Sequence, residues 1–181
     1  MSKLSTIPNI LTMSRVFLLP FFALGFFLEQ KLGILVSSVV FTFCCITDYL
    51  DGYYARTFSQ TTKIGQILDP LADKILISIS LLFIAGFGLI DSISIIPASI
   101  ILCREIIISG IREGTDSFST SKLSKWKTAI QMIAITIILA SNFAESHKLK
   151  IFGEMMLWGS SGMAIASGLG YYKKYASQNQ E

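Results

Sequence analysis

Charged residues are scarce in this sequence: Asp, Glu, Lys and Arg together make up 15% of its 181 residues. A soluble domain of similar length carries about 25%. Hydrophobic residues make up 52% of the chain, and the mean hydropathy is +0.61. Such an apolar composition excludes an ordinary soluble globule, and it excludes a disordered chain more firmly still.

Cysteine and histidine are scarce as well. The three cysteines all lie in apolar runs, which argues against a disulfide framework and favours a role as small packing residues. The one histidine, His147, falls in a polar stretch between two apolar runs, and we expect it to be a solvated loop residue. Neither residue type is therefore expected to form a catalytic or metal-binding cluster.

Long apolar runs dominate the chain, and a membrane span needs about 20 such residues. Six spans are predicted, at residues 16–28, 32–54, 64–89, 93–111, 128–143 and 151–172. The remaining residues are too few for an extramembrane domain. We predict an all-α integral membrane protein with six transmembrane helices in a single membrane domain, 1–181. It comprises an amphipathic segment (1–15), a six-helix bundle (16–172) and a polar tail (173–181).

The basic residues predict the orientation, because cytoplasmic loops carry the excess of Lys and Arg. With the N-terminus in the cytoplasm, ten basic residues fall inside and three outside. Those inside are Lys3, Arg15, Arg56, Lys63, Arg112, Lys122, Lys125, Lys127, Lys173 and Lys174. Those outside are Lys31, Lys148 and Lys150. We therefore expect both termini, and the loops around 56–63 and 113–127, in the cytoplasm.

Four aspartates interrupt the second and third apolar runs. Asp48 and Asp51 lie near the end of the second predicted span. Asp69 and Asp73 lie near the start of the third. An ionised carboxylate within a span costs about 2.5–3.5 kcal/mol. The neighbouring bases, Arg56 and Lys74, are too few to neutralise all four aspartates. We therefore expect the cluster to recruit a cation.

Helical periodicity places each pair of aspartates on one helix face. Asp48 and Asp51 lie about 60° apart around their helix, and Asp69 and Asp73 about 40° apart. The short gap between the two spans predicts an antiparallel hairpin that unites these faces in a ring of carboxylates. Such ligands suit Mg²⁺ or Mn²⁺, and four are enough for two ions that clamp a transferring phosphoryl group. The structural alternative is an acid cluster that pairs with bases for packing.

Eight residues in this stretch match a known motif. The pattern D-x2-D-G-x2-A-R-x8-G-x3-D-x3-D is satisfied at every fixed position, and it resembles the signature of the CDP-alcohol phosphotransferase family. Its fixed positions are Asp48, Asp51, Gly52, Ala55, Arg56, Gly65, Asp69 and Asp73. The resemblance implies a membrane enzyme of six helices, usually a homodimer, that displaces CMP from a CDP-linked lipid or alcohol.

The same resemblance implies roles for individual residues. Asp48, Asp51 and Asp69 would hold one Mg²⁺ or Mn²⁺ ion. Asp48, Asp69 and Asp73 would hold a second, and Asp73 would be the general base. The residues implied to border the nucleotide and its phosphates are Ile7, Pro8, Asn9, Ile10, Gly52, Arg56, Thr62 and Gly65.

A second group of charged residues concerns the acceptor. Arg104 lies well inside the fourth predicted span, where a lone guanidinium is costly and marks a candidate site. Arg112 lies about 80° away around the helix, and guanidinium groups suit a phosphate dianion. We expect these arginines to form an anion pocket together with Lys125 and Lys127. In the alternative interpretation, Arg104 pairs with an acid such as Glu105, and the lysines are ordinary cytoplasmic charges.

Around these residues the chain resembles the bacterial phosphatidylglycerophosphate synthase branch of the family. The stretches that carry this resemblance are 7–15, 69–74, 104–113 and 125–128. It implies CDP-diacylglycerol as donor and glycerol-3-phosphate as acceptor, with phosphatidylglycerophosphate and CMP as products. It also implies a bacterial inner membrane, with an organellar descendant as the alternative, and the distribution of basic residues places the site on the cytoplasmic side.

Other functions stay open from the sequence. The same family includes cardiolipin synthases, which use phosphatidylglycerol, and enzymes that use inositol phosphate or serine. Intramembrane aspartates also mark ion pathways, so a divalent-cation transporter is a more distant alternative, and a structural scaffold is another. A transport site is expected near the midplane between repeats, whereas these aspartates lie at helix ends and the sequence shows no repeat.

Overall fold

The computed structural model describes residues 7–57, 63–113 and 122–178, which form six α-helices and no strand. The helices are α1 (Ile7–Gly25), α2 (Gln30–Thr57), α3 (Lys63–Gly86), α4 (Ile95–Glu113), α5 (Lys122–Phe143) and α6 (His147–Gln178). A short 3-10 turn, Ser92–Ser94, precedes α4. The all-helical class predicted from the apolar runs is confirmed, with each predicted span inside or largely inside one helix.

Apolar composition identifies the helices that suit a bilayer. Within the described ranges, Lys31–Gly52, Ser92–Gly110 and Trp126–Phe143 are long and apolar enough to cross a membrane. Ile10–Gly25 is a shorter apolar helix. These helices are those of an integral membrane protein, and the count of six spans stays a prediction.

Helix α1 begins earlier than the predicted first span. It runs without a break from Ile7, so the segment expected to approach the membrane and the first apolar run form one helix. Pro8 is compatible with this start, because the first helical turn has no intrahelical partner for its backbone N–H groups. At the other terminus α6 continues to Gln178. The boundaries drawn at residues 15 and 172 therefore fall inside helices.

The structure differs from the predicted hairpin in how the second and third helices meet. Helix α1 packs against both α2 and α3, whereas α2 and α3 have little direct contact in the described part of the chain. Helical periodicity predicts which face of a helix is buried, but it does not predict which partner covers that face. The polar face of α1 therefore lies between the two pairs of aspartates.

Aromatic rings hold α1 against α3 away from the aspartates. The ring of Phe26 lies 5.3 Å from that of Phe83 and 5.2 Å from that of Phe87. Phe22 also meets Phe83, at 6.2 Å and nearly edge-on. Such arrangements are favourable beyond the area they bury. They fix the position of α1 and, with it, the polar side chains that α1 carries.

Two glycines let α1 and α2 approach closely where the chain turns between them. A Cβ atom on Gly33 would lie 2.2 Å from the carbonyl oxygen of Gly25 and 3.3 Å from that of Leu28. Both neighbours are backbone atoms, which cannot move aside as a side chain would. Small residues at helix interfaces allow this kind of contact in membrane proteins.

We expect Gly33→Ala to lower the free energy of unfolding by about 1–3 kcal/mol or more, since the added methyl group forces the two backbones apart. The matched control is Gly159→Ala in α6, where a Cβ atom meets nothing within 4 Å. Alanine favours a helix over glycine by about 1 kcal/mol, so the control should be neutral or stabilising. Thermal unfolding in detergent measures both variants, and equal melting temperatures would contradict the close approach.

Candidate active site

Arg15 of α1 lies at the centre of the aspartates predicted from the sequence. Its side chain is 1% exposed, and its guanidinium forms ion pairs with Asp48 at 2.5 Å, with Asp51 and with Asp73. Hydrogen bonds between ionised groups are about twice as strong as those between neutral groups. One cation from α1 thus joins carboxylates from both α2 and α3.

Thr12, one turn before Arg15, reaches the remaining carboxylate. Its hydroxyl donates to Asp69 and lies 3.5 Å from a carboxylate oxygen of Asp51. Residues three apart on a helix share a face, so α1 presents Thr12 and Arg15 together. Through these two side chains, α1 contacts all four aspartates. We call Asp48, Asp51, Asp69 and Asp73, together with Arg15, the carboxylate cluster.

The carboxylate cluster holds more negative than positive charge. Four carboxylates against one guanidinium leave a formal excess of three negative charges. Asp51 is buried, but the side chains of Asp48 and Asp73 are 26% and 25% exposed. The cluster therefore opens to solvent on the side of these two carboxylates, and its charge favours further cations.

The donor set of the carboxylate cluster fits a hard divalent cation in type and number. Carboxylate oxygens are the ligands that Mg²⁺ and Mn²⁺ take in proteins. Within the described ranges, however, no group of three Asp, Glu, His or Cys side chains has an arrangement that could coordinate a metal ion. The guanidinium of Arg15 instead lies among three of these carboxylates. Arg15 therefore binds the same carboxylate oxygens that a metal ion would need as ligands.

Arg15 and Thr12 are members of the site that the sequence did not predict. The sequence places Arg15 on the cytoplasmic side and offers only Arg56 and Lys74 as bases near the aspartates. The structure adds Arg15 to the bases that meet the aspartates, because its guanidinium is buried among them. The available signal was the spacing of Thr12 and Arg15, which places a hydroxyl and a cation on one face of a predominantly apolar helix.

The residues implied to bind the donor are only partly described. Gly52 follows Asp51 in α2, Gly65 lies in the first turn of α3, and Ile10 is exposed on α1. Thr62 lies outside the described residues. The helices include Ile7, Pro8, Asn9, Arg56, Arg112 and Lys125, whose side chains are not among those described.

A second charged group forms where α4 meets α5. Glu105 of α4 is buried and accepts from the ammonium group of Lys127 and, at 3.3 Å, from the guanidinium of Arg104. Arg104 also donates to the hydroxyl of Ser167 at 2.9 Å. The pairing of Arg104 with Glu105 is the contact expected in the structural alternative. Lys127, expected in a cytoplasmic loop or pocket, is 2% exposed within the bundle.

This second group adjoins the carboxylate cluster through Lys74, which follows Asp73 in α3. Lys74 donates to the hydroxyl of Ser109 at 2.6 Å, one turn after Glu105 on α4. Ser109 in turn donates to the backbone carbonyl oxygen of Glu105, the residue whose carboxylate Lys127 and Arg104 both contact. We call Lys74, Arg104 and Lys127 the basic cluster. Three helices thus bring cations together beside Asp73.

A polar pocket of about 390 Å³ lies near the opposite end of α2 from its aspartates. Its lining includes Lys31, Glu145 and His147, the first residue of α6. Lys31 pairs with Glu145 at 2.7 Å, and this contact holds the pKa of the Glu145 carboxyl below its usual value. Lys150 lines the same pocket and forms an ion pair with Asp91 at 2.7 Å. This pocket is separate from both clusters.

Comparison with known proteins matches most of the chain. Residues 5–166 match the family described as CDP-alcohol phosphatidyltransferase. A Rickettsia felis protein named CDP-diacylglycerol–glycerol-3-phosphate 3-phosphatidyltransferase is 36% identical over 172 residues, which cover 92% of this chain and 93% of that protein. A protein of the same name from Wigglesworthia glossinidia brevipalpis is 38% identical, with 92% of each chain covered. An Arabidopsis thaliana relative whose name adds the number 2 is 33% identical, covering 96% of this chain and 81% of its own.

Proposed function

Because the chain belongs to the CDP-alcohol phosphatidyltransferase family, we propose that it transfers the phosphatidyl group of CDP-diacylglycerol to glycerol-3-phosphate. The products are phosphatidylglycerophosphate and CMP, so the chain is a transferase of phospholipid biosynthesis. The observation that carries this proposal is the meeting of four aspartates from α2 and α3 around α1. Relatives with this activity in their names match over nine tenths of the chain.

The carboxylate cluster is proposed to hold two divalent cations, Mg²⁺ or Mn²⁺. Asp48, Asp51 and Asp69 are assigned to one ion, and Asp48, Asp69 and Asp73 to the other. Divalent ions held by these residues would supply positive charge to the pyrophosphate of the donor and to the leaving CMP. The excess of negative charge among these side chains supports the assignment, because it favours the binding of cations.

Asp73 is proposed as the general base. The acceptor hydroxyl oxygen attacks the donor phosphorus that is esterified to diacylglycerol. The bond between this phosphorus and CMP breaks, and Asp73 takes the proton of the hydroxyl group. The side chain of Asp73 is 25% exposed, which leaves it open to an acceptor from solvent. The nucleotide is proposed to lie along Ile7, Pro8, Asn9, Ile10, Gly52, Arg56, Thr62 and Gly65.

The basic cluster supports an acceptor that carries its own phosphate. Arg104, Arg112, Lys125 and Lys127 are proposed to bind that phosphate. Of these, Lys127 and Arg104 meet at Glu105, and Lys74 ties the same region of α4 to the helix of Asp73. Cations gathered from several helices favour a dianion over a neutral alcohol. Free glycerol carries no charge and would gain no ion pair from these cations.

The proposal is tested by CMP release in membranes that contain the protein. CDP-diacylglycerol is supplied with radiolabelled glycerol-3-phosphate, with free glycerol, with serine, with inositol phosphate or with phosphatidylglycerol. We expect labelled phosphatidylglycerophosphate with the first acceptor, and no product once a chelator removes divalent cations. If free glycerol served as well as glycerol-3-phosphate, the acceptor assignment would be wrong.

We expect Arg112→Ala to raise the half-saturating concentration of glycerol-3-phosphate by about ten- to a hundredfold, since a charge-assisted hydrogen bond contributes about 1.5–3 kcal/mol. Donor affinity should stay unchanged, because the pyrophosphate is held elsewhere. Saturation curves for both substrates measure the two effects. The control is Lys31→Ala, which removes a cation that is 76% exposed and pairs with Glu145. Equal losses for both substrates would assign Arg112 to the donor or to the fold.

The site is proposed to face the cytoplasm at a bacterial inner membrane, and the protein is proposed to be a homodimer. Of the ten basic residues assigned to the inside, Arg15 and Lys127 are buried in the bundle. The other eight still outnumber the three assigned to the outside. Lys31 begins the span whose other end carries Asp51, so the aspartates lie on the side with more basic residues.

A further inference from the structure

Arg15 is held in the carboxylate cluster through only part of its guanidinium. Its two terminal nitrogens pair with Asp48, Asp51 and Asp73. Its Nε atom is buried and has no hydrogen-bond partner within the residues that the structure describes. A guanidinium offers five N–H donors, and a structural ion pair generally satisfies them all. The contacts of Arg15 are therefore concentrated on the carboxylates, and the rest of the bundle holds its head group weakly.

The carboxylate oxygens that Arg15 binds are those assigned to the metal ions. Three of the four aspartates pair with its guanidinium, and the fourth accepts from Thr12. A divalent ion among these oxygens would lie within a few ångströms of the guanidinium carbon, where like charges repel strongly. The two cations therefore exclude each other from the cluster.

We propose that Arg15 is an exchangeable counter-ion. It neutralises part of the carboxylate cluster while no metal is bound, and it withdraws from the aspartates when divalent cations enter. This inference rests on the proposed function, because it takes the aspartates as metal ligands. The partly exposed side chains of Asp48 and Asp73 mark the side on which ions enter. Thr12 is uncharged and keeps its place in either state.

Two measurable consequences follow from this exchange. Without metal, loss of the Arg15 charge leaves four neighbouring carboxylates with no cation among them, so the fold becomes less stable. With metal, the same loss removes a competitor, so the ions bind more tightly. A residue that merely supported the aspartates would have the opposite effect on metal affinity, because its loss would disorder the ligands.

The experiment uses the full chain in detergent micelles after a chelator has removed bound metal. Mn²⁺ is then titrated into wild type, Arg15→Gln, Asp48→Asn and Lys31→Gln. Electron paramagnetic resonance of free Mn²⁺ gives the affinity, and thermal unfolding gives the stability at each concentration. Lys31→Gln is the matched control, since it removes one exposed positive charge outside the carboxylate cluster.

We expect Arg15→Gln to lower the half-saturating Mn²⁺ concentration at least tenfold, with Lys31→Gln unchanged. Its metal-free melting temperature should fall below that of wild type, and the difference should disappear or reverse at saturating Mn²⁺ because binding stabilises the folded state. If Arg15→Gln bound Mn²⁺ no more tightly than wild type, while Asp48→Asn had lost binding, the exchange would be wrong and the metal assignment would stand. If neither wild type nor Arg15→Gln bound Mn²⁺, the proposed metal site itself would be wrong.

A second variant covers the case in which Arg15→Gln folds poorly without metal. Arg15→Lys keeps the charge but replaces the fork by one ammonium group, which cannot pair with three carboxylates in the same way. We expect Arg15→Lys to bind Mn²⁺ more tightly than wild type does. Its affinity should be lower than that of Arg15→Gln, which is purified with Mn²⁺ present for this comparison. An affinity below that of wild type would overturn the exchange.

Discussion

We expect Asp48→Asn to lower CMP release from CDP-diacylglycerol by roughly 10³-fold or more, since Asp48 is assigned to both metal ions and preorganised charge is the largest contribution to such chemistry. The protein should still fold. Asparagine is uncharged and costs less to bury than an ionised carboxylate, and Arg15 keeps its ion pairs with Asp51 and Asp73. Initial rates at several Mg²⁺ concentrations measure the loss, with thermal unfolding as the check on the fold.

The matched control for Asp48→Asn is Asp91→Asn. Asp91 is an aspartate outside the helices, just before the turn that leads into α4, and it pairs with Lys150 at 2.7 Å. That contact holds the pKa of the Asp91 carboxyl below its usual value, so Asp91 is ionised at neutral pH and the two substitutions remove the same charge. We expect the control to leave CMP release unchanged. Near-normal CMP release by Asp48→Asn would show that the two-metal assignment is wrong.

The second large effect is expected at Asp73. Asp73→Asn should lower the turnover number by about 10²–10⁴-fold, the contribution of a positioned general base. Binding of CDP-diacylglycerol should be largely retained, because Asp48, Asp51 and Asp69 keep the other ion in place. Equilibrium binding of the donor and single-turnover transfer to glycerol-3-phosphate separate these two quantities. A variant that lost donor binding as fully as Asp48→Asn would identify Asp73 as mainly a metal ligand.

The sequence predicted the helices, and the shared helix face of each pair of aspartates, because both features have strong local signals. Apolar runs located all six helices, and in α4 the predicted span 93–111 lies within two residues of the observed Ile95–Glu113. The spacing of Asp48, Asp51, Asp69 and Asp73 predicted that each pair shares a helix face. A residue's position along its own helix decides both features, so a linear pattern is sufficient.

The place of Arg15 was not predictable in the same way. A single arginine before an apolar run is typical of the boundary of a membrane span, and its spacing from Thr12 does not indicate which helices cover the face that they share. Its burial depends on α1 packing between α2 and α3, which is a property of the assembled bundle. The contact of Lys127 with Glu105 has the same origin, since it joins residues 22 positions apart on different helices.

The position of α1 between α2 and α3 also affects how the chain is made. Arg15 is synthesised early, but it pairs with Asp48, 33 residues later, and with Asp73, 58 residues later. At about 5–20 residues per second, the ribosome needs roughly 3–12 s to add those 58 residues. Until Asp48 and Asp51 have been added the guanidinium has none of these partners, and lone cations on apolar helices are drawn to the bilayer surface. Arg15 on α1 therefore has its full set of carboxylate partners only after α3 has been synthesised, although α1 is the first helix to be translated.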